Sequence, residues 1–294
     1  MRILVIFLLV LLAARLVPGP VAAQTPQTPQ TSQTSLAEIE ALTQAAEAGQ
    51  PEAQARLGYH YEVGLGVAQS DKAAFYWYHQ AAIGGHAYAQ SRLGAFYAAG
   101  RGVAQSDVDA ANWFRRAAEK GDAFAQTSLG LMYQNGKGLP RSDLQALAWY
   151  QRAADQRHAV AQARLGHMYL LGQGVRQDLA EAARLYRLSA DQGYLHAQTN
   201  LGFLYQNGLG LAQSDSAAMV WYGRAAGRGY GPAQSSLGLM YEQGSGVAKD
   251  PVQAYMWFLL AADAEALDRL DPELSADQRL QALRRVAAWK KARK

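Results

Sequence analysis

The 294-residue sequence contains no cysteine. Disulfide bonds, thiol nucleophiles, thiolate metal ligands and a lipid anchor on cysteine are therefore excluded. The apolar run at residues 3–14 has only twelve residues, whereas a helix needs about 20 to span a bilayer. Phosphate-binding loops, nucleophile elbows and dinucleotide fingerprints are missing, and the six histidines lack metal-ligand spacing. These absences predict a protein that is not an enzyme and has no cofactor or metal.

The first 35 residues differ in composition from the rest. Arg2 precedes the apolar run, and the small residues Val21, Ala22 and Ala23 precede Gln24. This pattern predicts a cleaved secretory signal at residues 1–23, with an uncleaved anchor as the alternative. Residues 24–35, QTPQTPQTSQTS, lack core-forming side chains and predict a disordered linker. The expected location is therefore periplasmic or secreted, without a lipid anchor.

An unbroken 36-residue period organises residues 50–265. Leu-Gly-x-x-Tyr occurs six times at this spacing, beginning at Leu57, Leu93, Leu129, Leu165, Leu201 and Leu237. A fixed period of this size indicates a stack of similar supersecondary units. The helical spacing within each unit predicts an all-α solenoid of antiparallel helix pairs. We expect a capping half-unit at residues 36–49 and a capping helix with a basic tail at residues 266–294.

Each position of the unit has a predicted structural role. The Gly58 position lies inside the first helix, where glycine costs about 0.5–1 kcal/mol relative to alanine, so we expect the closest helix–helix contact there. A Gly-x-Gly at Gly64 and Gly66 predicts a turn rather than a phosphate site. Ser70 should cap the second helix. The Trp77–Tyr78 position predicts core aromatics rather than an aromatic cage.

The combined pattern A-x-A-Q-x-x-L-G-x-x-Y-x-x-G-x-G-V-x-x-[SD]-x-x-x-A-x-x-W-Y-x-x-A-A-x-x-G resembles the Sel-one-like repeat, a relative of the tetratricopeptide repeat. The departures are few, such as Leu185 for Trp and Arg157 for the unit-ending Gly. The resemblance implies a right-handed superhelix that serves as an adaptor. Exported bacterial members resemble envelope regulators or host-interaction proteins. A cysteine-rich branch linked to β-lactams is a poor model for a chain without cysteine.

Four positions of each first helix vary between units and, at offsets of four, three and four, fall on one side of the helix. We call their combined surface the first-helix face; in unit one it comprises Glu52, Arg56, Tyr59 and Val63. First helices tend to line the concave side of such superhelices, although some apolar members could instead pack between units. The partner-binding candidates are Arg56, Tyr59, Tyr88, Arg92, Phe124, Arg164, His167, His196, Asn200 and Phe203.

The predicted function is an exported, monomeric protein–protein adaptor that binds a protein partner in the concave groove. An envelope enzyme, or a protein that binds a cell-wall polymer such as peptidoglycan or a β-lactam, is the alternative. Seven basic residues follow Leu274, while the preceding body is slightly acidic, so no nucleic-acid-binding stripe is expected. The basic tail either complements a helix carboxyl end or weakly contacts an anionic envelope surface.

The last expectation concerns the carboxyl-terminal cap. Asp271 and Pro272 should interrupt the chain, and Ser275 should start a helix that runs to about Ala292. Its apolar side should cover the last unit with Leu280, Leu283, Val286 and Ala287.

Overall fold

A computed structural model describes residues 36–293, and all regular elements within that range are helical. The predicted signal and linker lie outside these residues. The helices are α1 (Leu36–Glu47), α2 (Pro51–Val63), α3 (Asp71–Ile83), α4 (Ala87–Ala99), α5 (Asp107–Glu119), α6 (Ala123–Asn135), α7 (Asp143–Asp155), α8 (Ala159–Leu171), α9 (Leu179–Asp191), α10 (Leu195–Asn207), α11 (Asp215–Gly227), α12 (Gly231–Gln243), α13 (Pro251–Ala261), α14 (Ala264–Leu270) and α15 (Ala276–Lys291). A short 3-10 helix, Asp271–Glu273, precedes α15.

Each helix from α1 to α13 packs on the next one along the chain, and α15 packs on α13, which gives the predicted solenoid of helix pairs. The even-numbered helices α2 to α12 are the first helices of the six units, and the odd-numbered helices α3 to α13 are the second helices. No helix among the described residues is both long and apolar enough to cross a bilayer.

The glycine inside each first helix marks the predicted close contact. A Cβ at Gly94 would lie 2.6 Å from the ring of Phe114, and one at Gly58 would lie 2.8 Å from the ring of Tyr78. Because real Cβ atoms do not approach a ring so closely, only glycine lets the two helices pack at this separation. Gly166 is the loosest copy, with its nearest neighbours at 3.3 Å.

The turn between the two helices of a unit uses both glycines. Gly172 ends α8 in the left-handed conformation, with φ of 70°, and its N–H donates to the Met168 carbonyl. Gly174 has φ of 66° and lies against the preceding unit, since a Cβ there would be 2.8 Å from the backbone of Asp143. The second glycine therefore packs one unit on another as well as turning the chain.

Second helices begin as predicted. The side chains of Ser70, Ser106, Ser142, Asp178, Ser214 and Asp250 each accept a hydrogen bond from the backbone N–H three residues later. Such caps contribute about 1 kcal/mol each. They fix where every second helix starts, and with it the register of the aromatic residues that follow.

A buried glutamine joins each unit to the one before it. The side-chain Nε2 of Gln126 donates to the Ala118 carbonyl, at 3.0 Å, and the other five units repeat this contact. In the first unit Gln54 reaches Ala46 of α1 at 3.0 Å, so α1 takes the place of a second helix. The sequence pattern displayed this glutamine in every unit without indicating its partner.

The two aromatic positions of the second helix differ in burial, contrary to the expectation that both are core. Tyr78 and its counterparts are buried, whereas among the tryptophans only Trp221 is. The others lie at the edge of the core, where an arginine three residues later can cover the ring. The Arg152 guanidinium, for example, lies 4.5 Å from the centre of the Trp149 ring.

The carboxyl-terminal cap differs from the prediction in two ways. A short helix, α14, follows the last unit and buries Leu270 beside Phe258. Ser275 does cap α15, through a capping box with Gln278. However, Leu280 is 47% exposed and Leu283 is 51% exposed. The predicted Val286 does pack against α13, but this face centres on Ala282, and Ala287 is exposed.

Candidate functional site

The first-helix face is accessible along its length. None of its residues, in any of the six units, is fully buried, in contrast to the neighbouring Ala53, Leu57 and Gly58 positions. Arg56 and Tyr88 are exposed, and the remaining candidates are half-buried. The face therefore offers side chains that differ from unit to unit, on a framework whose other positions are used in packing.

Three aromatic candidates also support the core. Tyr59 packs beside the cluster that contains Tyr78, and Phe124 stacks edge-on to Phe114 with ring centres 6.1 Å apart. Phe203 lies against the core of both its own unit and the next. These residues contribute part of their surface to the first-helix face and the rest to packing between units.

Arg92 is already paired within the protein. Its guanidinium pairs with the carboxylate of Glu62, which is only 8% exposed. Arg101 also pairs with the Glu62 carboxylate, at 2.9 Å, and the Tyr78 hydroxyl donates a hydrogen bond of 2.8 Å to the same carboxylate. Arg101 in turn pairs with Asp71 at 2.6 Å. This charge network ties the first two units together and satisfies the guanidinium that the sequence suggested for a partner.

Arg164 occupies the same repeat position two units later, with a different outcome. The residue that corresponds to Glu62 is Gln134, whose amide oxygen accepts a hydrogen bond from Tyr150 and whose nitrogen donates to Gln173. Arg164 itself is half-buried and makes neither an ion pair nor a hydrogen bond with residues 36–293. No carboxylate of this part of the chain lies within ion-pair distance of its guanidinium.

The charge of Arg164 acts on five ring side chains, namely Tyr150, His167, Tyr186, Tyr194 and His196. Burial, and to a smaller extent the positive charge of Arg164, lowers the pKa of His167 to about 4. The same two causes lower the pKa of His196. Both imidazoles are therefore neutral at pH 7, and burial raises the pKa of the three phenols. All five of these groups are ring side chains.

One of these phenols, Tyr186, lacks the acceptor that its counterparts use. In other units the corresponding tyrosine donates to a residue sixteen positions earlier, as Tyr150 does to Gln134 and Tyr222 to Gln206, both at 3.1 Å. For Tyr186 that residue is Leu170, which has no acceptor side chain. The Tyr186 side chain is fully buried, and its hydroxyl makes no hydrogen bond of good geometry. Burial raises the pKa of Tyr186, and a side-chain hydrogen bond with Asn200, a predicted candidate, opposes that rise.

A chain of rings borders this region. The ring centres of Tyr194 and His196 are 5.2 Å apart, and those of His196 and Tyr230 are 4.9 Å apart. His196 and Tyr230 also share a hydrogen bond of 2.8 Å. The structure thus brings the candidates Arg164, His167, His196 and Asn200 to one region of the first-helix face, whereas Arg56, Tyr59, Tyr88 and Arg92 lie in the first two units.

Residues near the start of each first helix form links that sequence reasoning missed. Glu52 binds His86 at 2.9 Å, Ser91 donates to Asp122 at 3.0 Å, and Thr127 and His158 share a hydrogen bond of 2.9 Å. The members change in type from unit to unit, so no single motif revealed them. Within residues 36–293 no group of histidines and carboxylates could hold a metal ion.

The repeat pattern matches a known family over most of its length. The model for the Sel1 repeat matches residues 51–86, 87–122, 123–158, 159–194, 195–230 and 231–265. The chain belongs to the Sel1 repeat family. Sel1 repeat proteins generally mediate protein–protein interactions and bind protein partners, and their scaffold is typically non-enzymatic.

Two solved Sel1-type structures are similar to this chain. One is the crystal structure of c5321, a protective antigen present in uropathogenic Escherichia coli strains, which is 33% identical with a TM-score of 0.74. That match covers 85% of this chain but 56% of the E. coli chain, so this chain spans little more than half of its relative. A Sel1 repeat protein from Oxalobacter formigenes is 33% identical with a TM-score of 0.70, covering 76% of this chain and 90% of that one. A comparison with curated protein sequences found no match.

Proposed function

We propose that this Sel1 repeat protein is an exported adaptor that binds a protein partner along the first-helix face, on the concave side of the solenoid. The observation that carries the proposal is the contrast between positions. The Ala53, Leu57 and Gly58 positions repeat and are buried, while the four positions of the first-helix face vary and keep accessible surface. An accessible face that varies between units is what a specific binding surface on a repeated scaffold requires.

The face also has side chains suited to binding. Arg, Tyr and Phe side chains are enriched among residues that dominate protein–protein affinity. Arg56 and Tyr88 are exposed on consecutive first helices, so one extended segment could contact both. Tyr88 packs edge-on against the core residue Tyr78, with ring centres 6.1 Å apart, and the exposed remainder of its surface is available to a partner.

Site-specific photo-crosslinking can test the binding face. A photoreactive amino acid would replace Tyr88, which is 38% exposed on first helix α4, or Tyr76, which is 53% exposed on second helix α3. We expect the Tyr88 derivative to form a discrete adduct with one protein of an envelope extract, and the Tyr76 derivative to form none with that protein. Adduct formation that is equal at both positions would contradict the proposed face.

Export has a separate test. Expression of the full chain in a bacterial host, followed by fractionation and amino-terminal sequencing, should give a mature protein in the periplasm or medium that starts at Gln24. A chain that retains Met1 in the cytoplasm would contradict export without affecting the binding face.

A further inference from the structure

The carboxyl-terminal helix brings together basic side chains that lie far apart in the sequence. Arg293, just after α15, donates from its Nε to the carbonyl of Gly227, the last residue of α11, over 2.9 Å. This bond complements a helix carboxyl end, which is one of the two roles expected for the basic tail. It also places the end of α15 beside the last turn of α11. The basic residues of the two ends are Arg224, Arg228, Lys290, Lys291 and Arg293.

These cations are held in place without a carboxylate partner. The Arg224 guanidinium lies on the Trp221 ring, 4.3 Å from its centre, and Arg228 donates to the Gly193 carbonyl at 2.7 Å. None of the five basic residues forms an ion pair within residues 36–293. Their positive charges therefore share one region without a carboxylate of the described chain bound to any of them.

Acidic residues are scarce in the segments that form this region. Residues 223–229 and 284–293 contain none. On the neighbouring helix α9, Asp191 lies two positions before Gly193, but its side chain is exposed and pairs with none of the five cations. The two helix ends thus form a surface of positive charge.

The side of α15 that faces away from the solenoid is apolar as well as basic. Ala282 is buried against α13, and Val286 packs beside it. On the opposite side Leu280 is 47% exposed and Leu283 is 51% exposed. Helical spacing puts further exposed residues on this outer side, namely Arg284, Ala287 and Lys291. The helix therefore has a second apolar stripe, flanked by cations, that the described chain leaves uncovered.

The outer side of α15 belongs to the surface formed by the second helices. Met256 of α13 is only 3% exposed because α15 covers it. Its counterparts one and five units earlier, Val220 and Tyr76, are 54% and 53% exposed. The helix α15 therefore lies over positions that are open in those units, whereas the first-helix face is formed by other helices.

We propose that the outer side of α15, together with Arg224 and Arg228 at the end of α11, docks on an anionic lipid surface. Leu280 and Leu283 enter the boundary between headgroups and acyl chains, and the surrounding Lys and Arg side chains contact lipid phosphates. This interaction goes beyond the proposed function, because it uses second-helix and cap residues and requires no protein partner. It holds the solenoid at a membrane surface without using the first-helix face.

A lipid surface fits these residues better than an acidic polypeptide segment does. The charges are distributed over two helices rather than gathered around one pocket, which suits the many separate phosphates of a bilayer. A helix that combines an exposed apolar stripe with Lys and Arg is typical of segments that lie in the membrane interface. An acidic segment would neutralise the charges but leave the two leucines without an apolar partner.

Vesicle flotation tests the proposal with the chain from Gln24 onward, because the apolar run at residues 3–14 would itself enter a bilayer. Vesicles of phosphatidylcholine and phosphatidylglycerol in equal amounts are compared with vesicles of phosphatidylcholine alone. We expect the protein to float with the anionic vesicles at low salt and to be released as the salt concentration rises. It should not float with the neutral vesicles.

Paired substitutions locate the contact. Lys290→Gln with Lys291→Gln should lower the partition coefficient about 25-fold, or about fivefold for each charge. The matched control is Lys137→Gln with Arg176→Gln, which removes two exposed cations from loops of other units. This control should change the coefficient by less than about twofold, because charges far from the contact are screened.

The leucines distinguish a lipid surface from a polypeptide. Leu280→Gln with Leu283→Gln keeps every charge and should lower vesicle binding about tenfold. The same pair should leave the binding of soluble poly-glutamate unchanged. Circular dichroism should show that all variants remain folded, since every substituted side chain is exposed.

Failure of the wild type to bind anionic vesicles, or equal binding to neutral ones, would overturn the proposal. A lysine pair that binds like the wild type, or a control pair that loses as much binding, would do the same. Tighter binding to poly-glutamate than to vesicles, unaffected by the leucine substitutions, would identify an acidic polypeptide as the occupant and overturn the choice of lipid. The photo-crosslinking at Tyr88 uses another surface, so the proposed function is tested separately.

Discussion

The contact between each internal glycine and an aromatic ring leads to a graded prediction. A methyl group added at Gly94 would lie 2.6 Å from the Phe114 ring, and one added at Gly166 would lie 3.3 Å from the Ala182 carbonyl oxygen. At Gly223, in the middle of α11, nothing lies within 4 Å. All three glycines are helical, so alanine offers each the same gain in helix propensity, about 0.5–1 kcal/mol.

The expected change in the free energy of unfolding is the gain in helix propensity minus the cost of the steric clash. Overpacking a well-filled contact costs about 1–3 kcal/mol, so Gly94→Ala should lower the free energy of unfolding by about 1–2 kcal/mol. Gly223→Ala should raise it by about 0.5–1 kcal/mol. Gly166→Ala should lie between them, near zero, because its neighbours need to move by only a few tenths of an ångström.

Urea denaturation followed by circular dichroism at 222 nm measures the order of the three variants. The comparison uses the shift in midpoint, since a solenoid need not unfold in one step. Phe114→Leu should relieve part of the Gly94→Ala penalty, which a double-mutant cycle would detect. Equal effects of the three substitutions, or stabilisation by Gly94→Ala, would refute the assignment of these glycines to a steric contact.

Four other predictions concern single features of the fold. Gln126→Leu should cost about 1–3 kcal/mol in urea denaturation, because it leaves the Ala118 carbonyl without its 3.0 Å hydrogen bond. Arg157→Gly should raise the thermal midpoint, since φ of 64° strains a side-chain-bearing residue by about 1–2 kcal/mol. His167 has a pKa of about 4 in the folded protein and 6.5 in the unfolded chain, so the unfolded chain binds the proton first as the pH falls. The free energy of unfolding should therefore decrease by up to about 3 kcal/mol between pH 6.5 and about 4. His167→Asn should remove this decrease, which urea denaturation at several pH values would measure. Deletion of residues 275–294 should expose Val252 and Met256, and size-exclusion chromatography should then detect aggregation that the intact chain does not show.

The sequence predicts those parts of the fold that depend on local chemistry. A serine or aspartate before each second helix predicts a cap, and the glycine within each first helix predicts a close contact, because both roles follow from the residue and its immediate neighbours. The prediction for α15 was correct for Val286 but wrong for Leu280 and Leu283, which are exposed. The sequence analysis also missed α14, a short helix that buries Leu270 against the last unit. A seven-residue helix with no repeat to align it gives little periodic signal.

Charge pairing is the part of the candidate site that sequence alone could not predict. Arg92 and Glu62 are thirty residues apart, and the pairing depends on how closely one first helix packs beside the next. Arg92 and Arg164 appear equivalent in the repeat, so they were grouped as candidates of one kind. The structure separates them through the residue on the neighbouring helix, which is glutamate in one case and glutamine in the other.

This separation has a consequence for how a repeat protein gains specificity. The solenoid requires the glycine, glutamine and capping positions to stay constant. The glycine sets the helix contact within a unit, the glutamine joins that unit to the one before it, and the cap fixes the start of the second helix. The first-helix positions vary between units, so the same repeat position can hold a charge that the adjacent unit neutralises or one that it does not. With glutamate on the preceding first helix, Arg92 forms an internal ion pair, whereas Arg164 faces glutamine at the equivalent position and forms none. The residue type on the neighbouring helix therefore decides whether an arginine on this face ties two units together.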